Sequence, residues 1–306
     1  MTTDPSPRPP TAVVGATGTV GGLVLDELLA RGVPVRALVR RPVDTLDRPG
    51  VDQVVADLGD PGALRAALDG TASALYVSPH AVDEERYAEN LLAAAEQTGT
   101  RVVFAGVHIS RRTLAGRLQG LVFAWMLPSY RGKLRIGRRV EESRTRAVVL
   151  APSNFFQNDE VFLPEIGAGL FPMPMRGVNR VDVRDLAELA ARELVSPRLD
   201  PGTYPVAGPA TLSGADCAAA WSRALGRDVA YVGDDEVAWR VAFAQRLHGR
   251  KHDDWVATGE LLGARVVRMD READATAALL GHPPRAYDAY VQEQAAVLAT
   301  SAGGPR

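Results

Sequence analysis

One lysine in this sequence has the residue type and the surroundings that proton transfer requires. Lys133, in the stretch YRGKLRIGRRVEES, shares a helical face with Ile136, Gly137 and Val140, at spacings of three, four and seven residues. A lysine on an apolar face points its amine inward, and burial favours the neutral form, which makes proton transfer feasible. Tyr130, one turn earlier, is a second candidate. The alternative is that Lys133 binds a cofactor ribose or extends to water.

Histidines supply further candidates for acid–base chemistry. His108 follows a predicted strand and could donate a proton, although a hydrogen bond to a loop is the ordinary role for such a residue. His80 stands in a similar position. His248 and His252 imitate a metal-binding H-x-x-x-H pair, but the cations of Arg250 and Lys251 between them would repel a metal ion. We expect no metal site.

A glycine-rich stretch must position any cofactor beside these groups. The sequence TAVVGATGTVGG, residues 11–22, places a short apolar run before Gly15 and an amphipathic segment after Gly18 and Gly21. A strand, a tight turn and a helix N-terminus in this order form a pyrophosphate site of the dinucleotide-binding type. The residues expected to touch the cofactor here are Gly15, Thr17, Gly18, Thr19 and Val20. A tight turn without a ligand is the alternative.

The residues after the second predicted strand concern the choice of cofactor. Sites selective for NAD place a carboxylate there to bind the ribose 2′-hydroxyl. Here Arg40 and Arg41 follow the strand, and arginine offers a planar pair of donors to a 2′-phosphate. The sequence therefore favours NADP(H), with two ordinary solvated charges as the alternative. Asp57 and Leu58, after the third strand, are expected at the adenine edge.

Strands and helices alternate through the first half of the chain. The predicted strands are 12–14, 33–39, 51–56, 72–78, 101–105 and 147–150, with helices after Gly18, Asp60 and Asp83. This alternation predicts an α/β fold, a doubly wound parallel sheet of the Rossmann type. Because ligands bind at the carboxyl ends of such strands, Ser78, Pro79 and Gly106 are expected beside the cofactor.

The alternation of strands and helices ends after Pro152, and the remainder is predicted to be a smaller, mostly helical C-terminal substrate lobe. We expect residues 1–10 to be a disordered arm, 11–155 the nucleotide-binding domain with a late strand near 203–207, and 156–306 the substrate-binding lobe, interleaved with the sheet. Ser213 and Asp216 have the spacing of a capping box and predict a helix N-terminus.

Aromatic residues suggest the kind of substrate. The apolar run Leu121–Leu127, LVFAWML, contains Trp125, and a second aromatic group follows at Phe155, Phe156 and Phe171. Together they could line a pocket for a flat aromatic or quinonoid molecule. The alternatives are ordinary core and a homodimer interface. Asn154 is expected to orient the nicotinamide or the substrate.

Composition excludes several classes of partner. The net charge of −2 over 306 residues gives no general attraction to nucleic acid or to an anionic membrane. The basic cluster Arg131–Arg146 lacks interleaved aromatic residues, so a solvated helix face is favoured over a nucleic-acid surface. Cys217 is the only cysteine, which excludes an internal disulfide and suits a reducing cytoplasm. No apolar run approaches the length of a membrane span.

Eight stretches together resemble the NmrA-like group of atypical short-chain dehydrogenases. They are GATGTVGG, ALVRRP, VVADLGDP, AAEQTGTRVVF, VVLAPSNFFQN, VDVRDLAELAARELVSP, GTYPVAGPATLSGADCAAAWSRALGR and LLGHPPRAYDAYV. The resemblance implies a Rossmann fold and an NAD(P) cofactor. Members of this group include quinone, triphenylmethane dye and isoflavone-type reductases, and also redox-sensing regulators without catalysis. In the isoflavone-type reductases a lysine that matches Lys133 lies beside the nicotinamide.

The sequence departs from the usual short-chain dehydrogenase apparatus of serine and Y-x-x-x-K. Gly106 stands at the serine position, and Tyr130 precedes Lys133 by three residues, not four. The leading hypothesis is an NADPH-dependent oxidoreductase that reduces a small hydrophobic carbonyl, quinone or polyketide-like compound. A non-catalytic NADP(H) sensor and a redox-neutral epimerase or cyclase remain alternatives.

Overall fold

The computed structural model describes residues 8–79, 81–107, 109, 118, 121, 125 and 130–302. The chain divides into two compact units. The first runs to Ala151 and takes in Leu186–Tyr204, and the second comprises Pro152–Asp185 and the chain from Pro205 onward. The described part of the chain holds no helix with the length and hydrophobicity that crossing a membrane requires.

Twelve strands lie in the described residues. They are β1 (Thr11–Val14), β2 (Val35–Val39), β3 (Val51–Val55), β4 (Ser73–Val77), β5 (Arg101–Ala105), β6 (Val148–Pro152), β7 (Asn154–Phe155), β8 (Leu170–Phe171), β9 (Val178–Val181), β10 (Gly202–Val206), β11 (Ala210–Leu212) and β12 (Ala230–Tyr231).

The α-helices of the same residues flank and follow these strands. They are α1 (Thr19–Ala30), α2 (Pro61–Leu68), α3 (Glu84–Thr98), α4 (Arg131–Glu142), α5 (Leu163–Gly167), α6 (Val183–Val195), α7 (Gly214–Leu225), α8 (Glu236–Arg246), α9 (Gly249–Ala264), α10 (Asp270–Leu280) and α11 (Tyr287–Ala302). Short 3₁₀ segments cover Asp44–Leu46 and Phe156–Phe162.

Seven of the described strands form the central sheet, in the order β10-β6-β5-β4-β1-β2-β3. β1 pairs parallel with both β2 and β4, and the strands on either side continue this parallel pairing as far as β3 and β6. The chain order therefore reverses between β1 and β4, where doubly wound sheets bind their ligands. This confirms the predicted fold class.

Local sequence explains why these elements form. All four residues of β1 are buried, as expected for a central strand with both faces covered. Asp60 begins α2 by accepting hydrogen bonds from the backbone N–H groups of Gly62 and Ala63, at 2.9 and 3.1 Å, with Pro61 in the first turn. The predicted start of this helix is confirmed.

The core of the first unit fills the space between the sheet and its helices. Leu64 of α2, Leu91 of α3, Phe104 of β5, Ile136 of α4 and Val149 of β6 belong to one buried cluster. Each such side chain contributes about 1.5–3 kcal/mol by leaving water. The cluster fixes α3 and α4 against the sheet, and these two helices carry the charged residues of the candidate site.

The second unit contains more strand than the sequence predicted. β9 pairs parallel with β7 and antiparallel with β11, and β8 pairs with β12. β9 reads VNRV and is buried throughout, including Asn179 and Arg180. The side chain of Asn179 exchanges two 3.0 Å hydrogen bonds with the backbone of Gly208. Strands are predicted from a run or alternation of apolar residues. In β9 the buried polar residues, whose hydrogen bonds are formed inside the protein, interrupt that pattern.

Two helix starts in this region show how well capping signals can be recognised. Ser213 and Asp216 form the predicted capping box at the start of α7, with both reciprocal hydrogen bonds present. The helix before it, α6, begins at Val183, and Asp182 accepts a 2.9 Å hydrogen bond from the backbone N–H of Arg184. Asp185, in the first turn of α6, accepts a hydrogen bond from the backbone N–H of Arg285.

Candidate functional site

The glycine turn after β1 has the backbone geometry of a phosphate cradle. Gly15 adopts a φ of +81°, a left-handed backbone conformation that is strained for a residue with a side chain. Gly18 donates a 2.9 Å hydrogen bond to the carbonyl of Gly15 and closes the turn. A Cβ on Gly21 would lie 2.1 Å from that same carbonyl oxygen, so only glycine lets α1 pack this closely on the turn. Gly15 and Gly21 are thus required by geometry.

The N-terminus of α1 is suited to an anion. Gly18 precedes the helix without a side-chain cap, and the first turn of α1 holds no acidic residue. Thr17, Gly18 and Thr19 are exposed, while Val20 is half-buried. The backbone N–H groups here carry the positive end of the helix dipole. These residues fit the pyrophosphate of a dinucleotide.

The ends of β2 and β3 carry the residues predicted to select the cofactor. Arg40 and Arg41 follow β2 directly and are both exposed, and neither forms an ion pair within the described residues. Asp57, after β3, accepts a 2.6 Å hydrogen bond from the backbone N–H of Gly59, which shapes the turn. Leu58 is half-buried beside it. Two unpaired guanidinium groups at this edge fit a 2′-phosphate.

The ends of β1, β4 and β5 lie at the same edge. The parallel register pairs Val13 with Leu75, and Val77 with Ala105. A Cβ placed on Gly15 would be 3.8 Å from the Cβ of Val77, so the glycine turn touches the end of β4. Ser78 and Pro79 follow immediately and are half-buried.

Gly106 follows β5 with no room for a side chain. Its backbone N–H donates a 3.1 Å hydrogen bond to the carbonyl of Leu150. A Cβ here would meet the ring of Phe104 at 2.4 Å, and that ring packs against Tyr76 with 5.5 Å between centroids. The place that a serine would take in the usual apparatus is therefore filled by an aromatic ring.

Lys133 lies on the predicted face of α4. Ile136, Gly137 and Val140 are buried, and the side chain of Lys133 is 14% exposed. Its Nζ lies 3.4 Å from Oε2 of Glu84, whose side chain is 3% exposed. The same carboxylate accepts a 3.4 Å hydrogen bond from the hydroxyl of Ser78. An ammonium, a buried carboxylate and a hydroxyl are thus grouped where β4 ends. Tyr130 is half-buried at the start of this helix.

Tyr76 adds a buried phenol to this group. It is fully buried on β4, and Ser78 and Glu84 are the side chains that act on its hydroxyl. Burial raises the pKa of Tyr76 far above that of an ordinary phenol, and the negative charge of Glu84 raises it further. Tyr76 therefore stays neutral at every physiological pH.

Sequence reasoning missed Glu84, although a signal existed. The buried face of α3 includes Glu84, Ala88, Leu91, Leu92 and Ala95, which follow the helical period. A carboxylate in the first position of an apolar stripe is unusual, because a buried charge is costly unless it is paired. No local pattern indicates its partner, which lies 49 positions later on α4.

The second unit holds the residues predicted to contact nicotinamide or substrate. The side-chain oxygen of Asn154 accepts a 3.1 Å hydrogen bond from Nε of Arg180, and the carbonyl of Phe155 accepts a 2.7 Å bond from its Nη2. Arg180 is fully buried and is paired with Asp159 at 2.8 Å. This buried arginine therefore fixes the Asn154–Phe155 segment.

The aromatic residues predicted to line a substrate pocket have different environments. Phe156 and Phe171 are each 1% exposed and belong to the core of the second unit, which is the core alternative that the sequence left open. Phe155 is half-buried, and Trp125 is 75% exposed. His80 and His108 lie outside the described residues, as does most of the run Leu121–Leu127.

Within the described residues, no three or more His, Cys, Asp or Glu side chains are grouped so that they could hold a metal ion. Cys217, a potential soft ligand, is fully buried beside Arg180.

Comparison with known proteins gives the same fold and a family. The model of the NmrA-like family matches residues 10–238. An NAD(P)H azoreductase from Xenophilus azovorans is 32% identical over 232 residues, which cover 72% of this chain and 75% of the azoreductase.

Solved structures of two other proteins superpose on almost the whole chain. One is an NADPH-dependent quinone oxidoreductase from Escherichia coli in complex with NADPH, at a TM-score of 0.78 and 21% identity, covering 93% of this chain and 99% of that one. The other is NmrA, a negative transcriptional regulator, in complex with NADP, at a TM-score of 0.73 and 17% identity, covering 98% of this chain and 99% of that one. At these identities the likeness establishes the fold alone.

Proposed function

Because the chain belongs to the NmrA-like family, we propose that it is an NADPH-dependent oxidoreductase that reduces a flat, hydrophobic acceptor: a quinone, an azo compound or a polyketide-like carbonyl. One observation carries the proposal. The glycine turn at Gly15 and the pair formed by Lys133 and Glu84 lie at the same edge of the sheet, linked through Val77 and Ser78. A nucleotide cradle and a proton-bearing amine are the two groups that such a reduction needs.

The cofactor would be held by the first unit. The backbone of Gly15–Val20 would bind the pyrophosphate, Arg40 and Arg41 the 2′-phosphate, and Asp57 and Leu58 would lie beside the adenine. When bound, NADPH supplies a hydride, which carries the electron pair that reduces the acceptor.

The part of the protein itself is to position the acceptor and to supply a proton. The ammonium of Lys133 would donate a proton to the acceptor oxygen or nitrogen as the hydride arrives, so that hydride and proton together make a two-electron reduction. The neutral amine would then regain a proton from water, which reaches a side chain that is 14% exposed. Asn154 and Phe155 remain the proposed substrate contacts of the second unit.

NADPH oxidation tests the proposal directly. We expect turnover with members of a panel of quinones, azo dyes and aromatic ketones, followed by the loss of absorbance at 340 nm. Lys133→Met should lower kcat by about 100-fold and leave the Kd for NADPH unchanged, because the proton donor is lost and the cradle is intact. Lys251→Met, which removes the only other lysine, is the matched control. Tight binding of NADPH without turnover on any acceptor would overturn the proposal.

Cofactor selectivity is tested at the end of β2. Arg40→Ala should weaken NADPH binding by about 10- to 100-fold, as expected for the loss of a hydrogen bond to a charged phosphate, and should leave NADH binding nearly unchanged. Arg48→Ala, which removes an exposed arginine paired with Asp26, serves as control. Equal losses for both cofactors would refute the assignment of the 2′-phosphate.

A sensor without catalysis is the second candidate, and one observation favours it. The serine position is closed because the ring of Phe104 fills the space beside Gly106. A sensor should distinguish NADP⁺ from NADPH in affinity and leave both unchanged. Calorimetric titration with each redox form, beside the turnover assay, separates the two functions.

A further inference from the structure

We propose that Asn154 is a specificity-determining residue, which donates a hydrogen bond from its side-chain N–H2 group to a carbonyl oxygen or azo nitrogen of the acceptor. Arg180 is the positioning residue that gives the amide this polarity. The proposal rests on the proposed function for the reduction of the acceptor. The polarity of the amide, and the ligand atoms that it selects, follow from the second unit alone.

The orientation of the Asn154 amide is determined by its partner. Nε of Arg180 lies 3.1 Å from the side-chain oxygen of Asn154. A guanidinium carries N–H donors and no acceptor, so only the oxygen of the amide can face it. The oxygen is therefore the inner end of the side chain, and the N–H2 group on the same carbon points away from Arg180.

Arg180 has no freedom to release the amide. Its side chain is fully buried, and the described contacts use all three of its nitrogens. Nη1 and Nη2 donate to the carboxylate of Asp159 at 3.2 and 2.8 Å. Nη2 also donates to the backbone carbonyls of Phe155 and Phe156. Rotation of the guanidinium would break several of these bonds inside the protein, where an unmade hydrogen bond is costly.

Backbone pairing provides a second, independent observation. β7 pairs parallel with β9, and Asn154 is the register partner of Arg180. Side chains of register partners lie on the same face of a sheet, so the backbone itself brings these two residues together. Arg180 is fully buried and Asn154 is half-buried, so the pair extends from the interior towards solvent.

The N–H2 group of Asn154 is available to a ligand. Among the residues that the structure describes, none accepts a hydrogen bond from this nitrogen, and the nitrogen is not a buried unpaired atom. The other amides differ. The N–H2 groups of Asn90 and Asn179 donate to the backbone carbonyls of Leu58 and Gly208. Asn154 thus combines a fixed oxygen with an unused donor.

Location gives this donor its use. β6 ends at Pro152, and Asn154 comes two residues later in the chain. Ligands of doubly wound sheets bind beyond the carboxyl ends of the strands. A fixed N–H2 group there would bond to a lone pair of the acceptor, and the bond would strengthen as hydride transfer places negative charge on that atom.

A matched pair of flat probes tests the polarity without turnover. Anthraquinone-2-sulfonate and anthracene-2-sulfonate share a ring frame and a charge, and they differ in the two carbonyl oxygens. Their Kd values are measured by calorimetry on the full chain in the presence of NADP⁺, which has no hydride to transfer. The Kd of the anthracene divided by that of the anthraquinone is the quinone preference, from which the effect of the shared sulfonate cancels.

The preference is compared between the wild type and four variants. Asn154→Ala should lower it by about 2- to 12-fold, the range expected for one hydrogen bond. Asn154→Asp should lower it further, because an acceptor replaces the donor. Arg180→Lys should lower it in part and leave anthracene binding nearly unchanged, since the planar group that fixes the amide oxygen is lost. Asn158→Ala, which changes another half-buried asparagine of the same segment, is the matched control and should leave the preference unchanged.

The amide can also be observed without any ligand. The chain contains four asparagines, so ¹⁵N-asparagine labelling gives four side-chain N–H2 signals, and the signal of Asn154 is the one missing from Asn154→Asp. Its protons should exchange with water faster than those of Asn179, which donate to Gly208 inside the protein. Equal protection of the two signals would overturn the proposal.

The binding experiment can overturn it as well, by an unchanged preference in folded Asn154→Ala, by the same loss in Asn158→Ala, or by a wild type that binds neither probe. If Arg180→Lys fails to fold, Asn154→Ala and Asn154→Asp still decide, because both keep the buried ion pair. A lost preference in Asn154→Ala without NADPH oxidation on any acceptor would retain the donor and refute the proposed reduction. Turnover with an unchanged preference would do the reverse, so the two failures are distinguishable.

Discussion

Both units of the molecule contain buried ion pairs, and two of these pairs, one from each unit, differ in cation type, distance and access to water. In the second unit, Arg180 and Asp159 are fully buried and 2.8 Å apart. In the first unit, Nζ of Lys133 lies 3.4 Å from Oε2 of Glu84, and the side chain of the lysine is 14% exposed to solvent.

The surroundings of Arg180 are those of a structural centre. Its guanidinium donates to Asn154, to the carbonyls of Phe155 and Phe156, to Asp159 and to the sulfur of Cys217. Asp159 in turn accepts hydrogen bonds from Trp221 and Tyr287. Elements from β7 to α11 therefore meet at one charged group.

The residue types complete the contrast. Arginine does not lose its proton in proteins, whereas lysine can gain and lose one. A sealed arginine pair can only hold the structure together, while a lysine pair at the end of a strand can also exchange a proton with a ligand and with water. The presence of a buried ion pair is therefore not enough to indicate function; its cation type and its access to water decide.

The largest expected effect is on the stability of the second unit. Asp159→Ala leaves Arg180 as an unpaired buried charge and should cost about 3–5 kcal/mol in the free energy of unfolding, measured by urea titration of tryptophan fluorescence. Glu236→Gln, which breaks the exposed pair with Arg240, should cost less than about 1 kcal/mol. Equal losses in the two variants would mean that the sealed pair has no special structural role.

The next effect is on turnover and concerns the first unit. Lys133→Arg preserves a positive charge beside Glu84 but removes the transferable proton, so kcat should fall by about 100-fold while the free energy of unfolding changes little. Lys251→Arg is the control. Full activity of Lys133→Arg would show that the position needs charge alone, and the contrast between the two pairs would then lose its chemical meaning.

A smaller effect is expected beside the lysine pair, where packing also limits the chemistry. Gly106→Ser forces the ring of Phe104 to move and should lower the free energy of unfolding by about 1–3 kcal/mol, without raising kcat. Gly167→Ser is the control, because a Cβ there meets no atom within 4 Å. A stable and faster Gly106→Ser protein would show that this edge accepts the usual serine after all.

The smallest effect is a lack of reactivity. Burial raises the pKa of the Cys217 thiol to about 11, so at pH 8 the thiol is protonated as well as enclosed. Ellman's reagent should therefore react with Cys217 only after the addition of denaturant. The residual reaction of the native protein should become about tenfold faster for each pH unit below about pH 11, because the fraction of thiolate rises in that proportion. Fast labelling of the native protein at pH 8 would show that the centre around Arg180 opens readily.

The sequence was most informative where each residue has a local role. The glycine turn, the cap at Asp60, the capping box of Ser213 and the buried face of α4 were all predicted, because spacing within one element determines them. Glu84 and β9 were missed. Both depend on a polar side chain whose partner is distant in sequence, and a pattern of hydrophobic residues carries no record of such a partner.

Aromatic residues show a second limit of prediction from sequence. Phe156 and Phe171 had the composition of a substrate pocket, but both are enclosed in the core of the second unit. Burial of an aromatic side chain and contact with a ligand select the same residue types, so composition alone does not separate them. Whether an aromatic ring packs in the core or contacts a ligand depends on the elements packed around it.

The two units are interleaved in the sequence, and this affects the point during synthesis at which the first unit can be completed. The hydroxyl of Ser73 donates to the carbonyl of Leu194, and Arg101 pairs with Glu193, so the first unit needs a segment that follows the first part of the second unit in sequence. A nascent chain that has emerged only to Ala151 lacks these contacts. The first unit is therefore completed on the ribosome only after Tyr204 has left the exit tunnel, and a gene fragment cut at residue 155 encodes an unfinished unit.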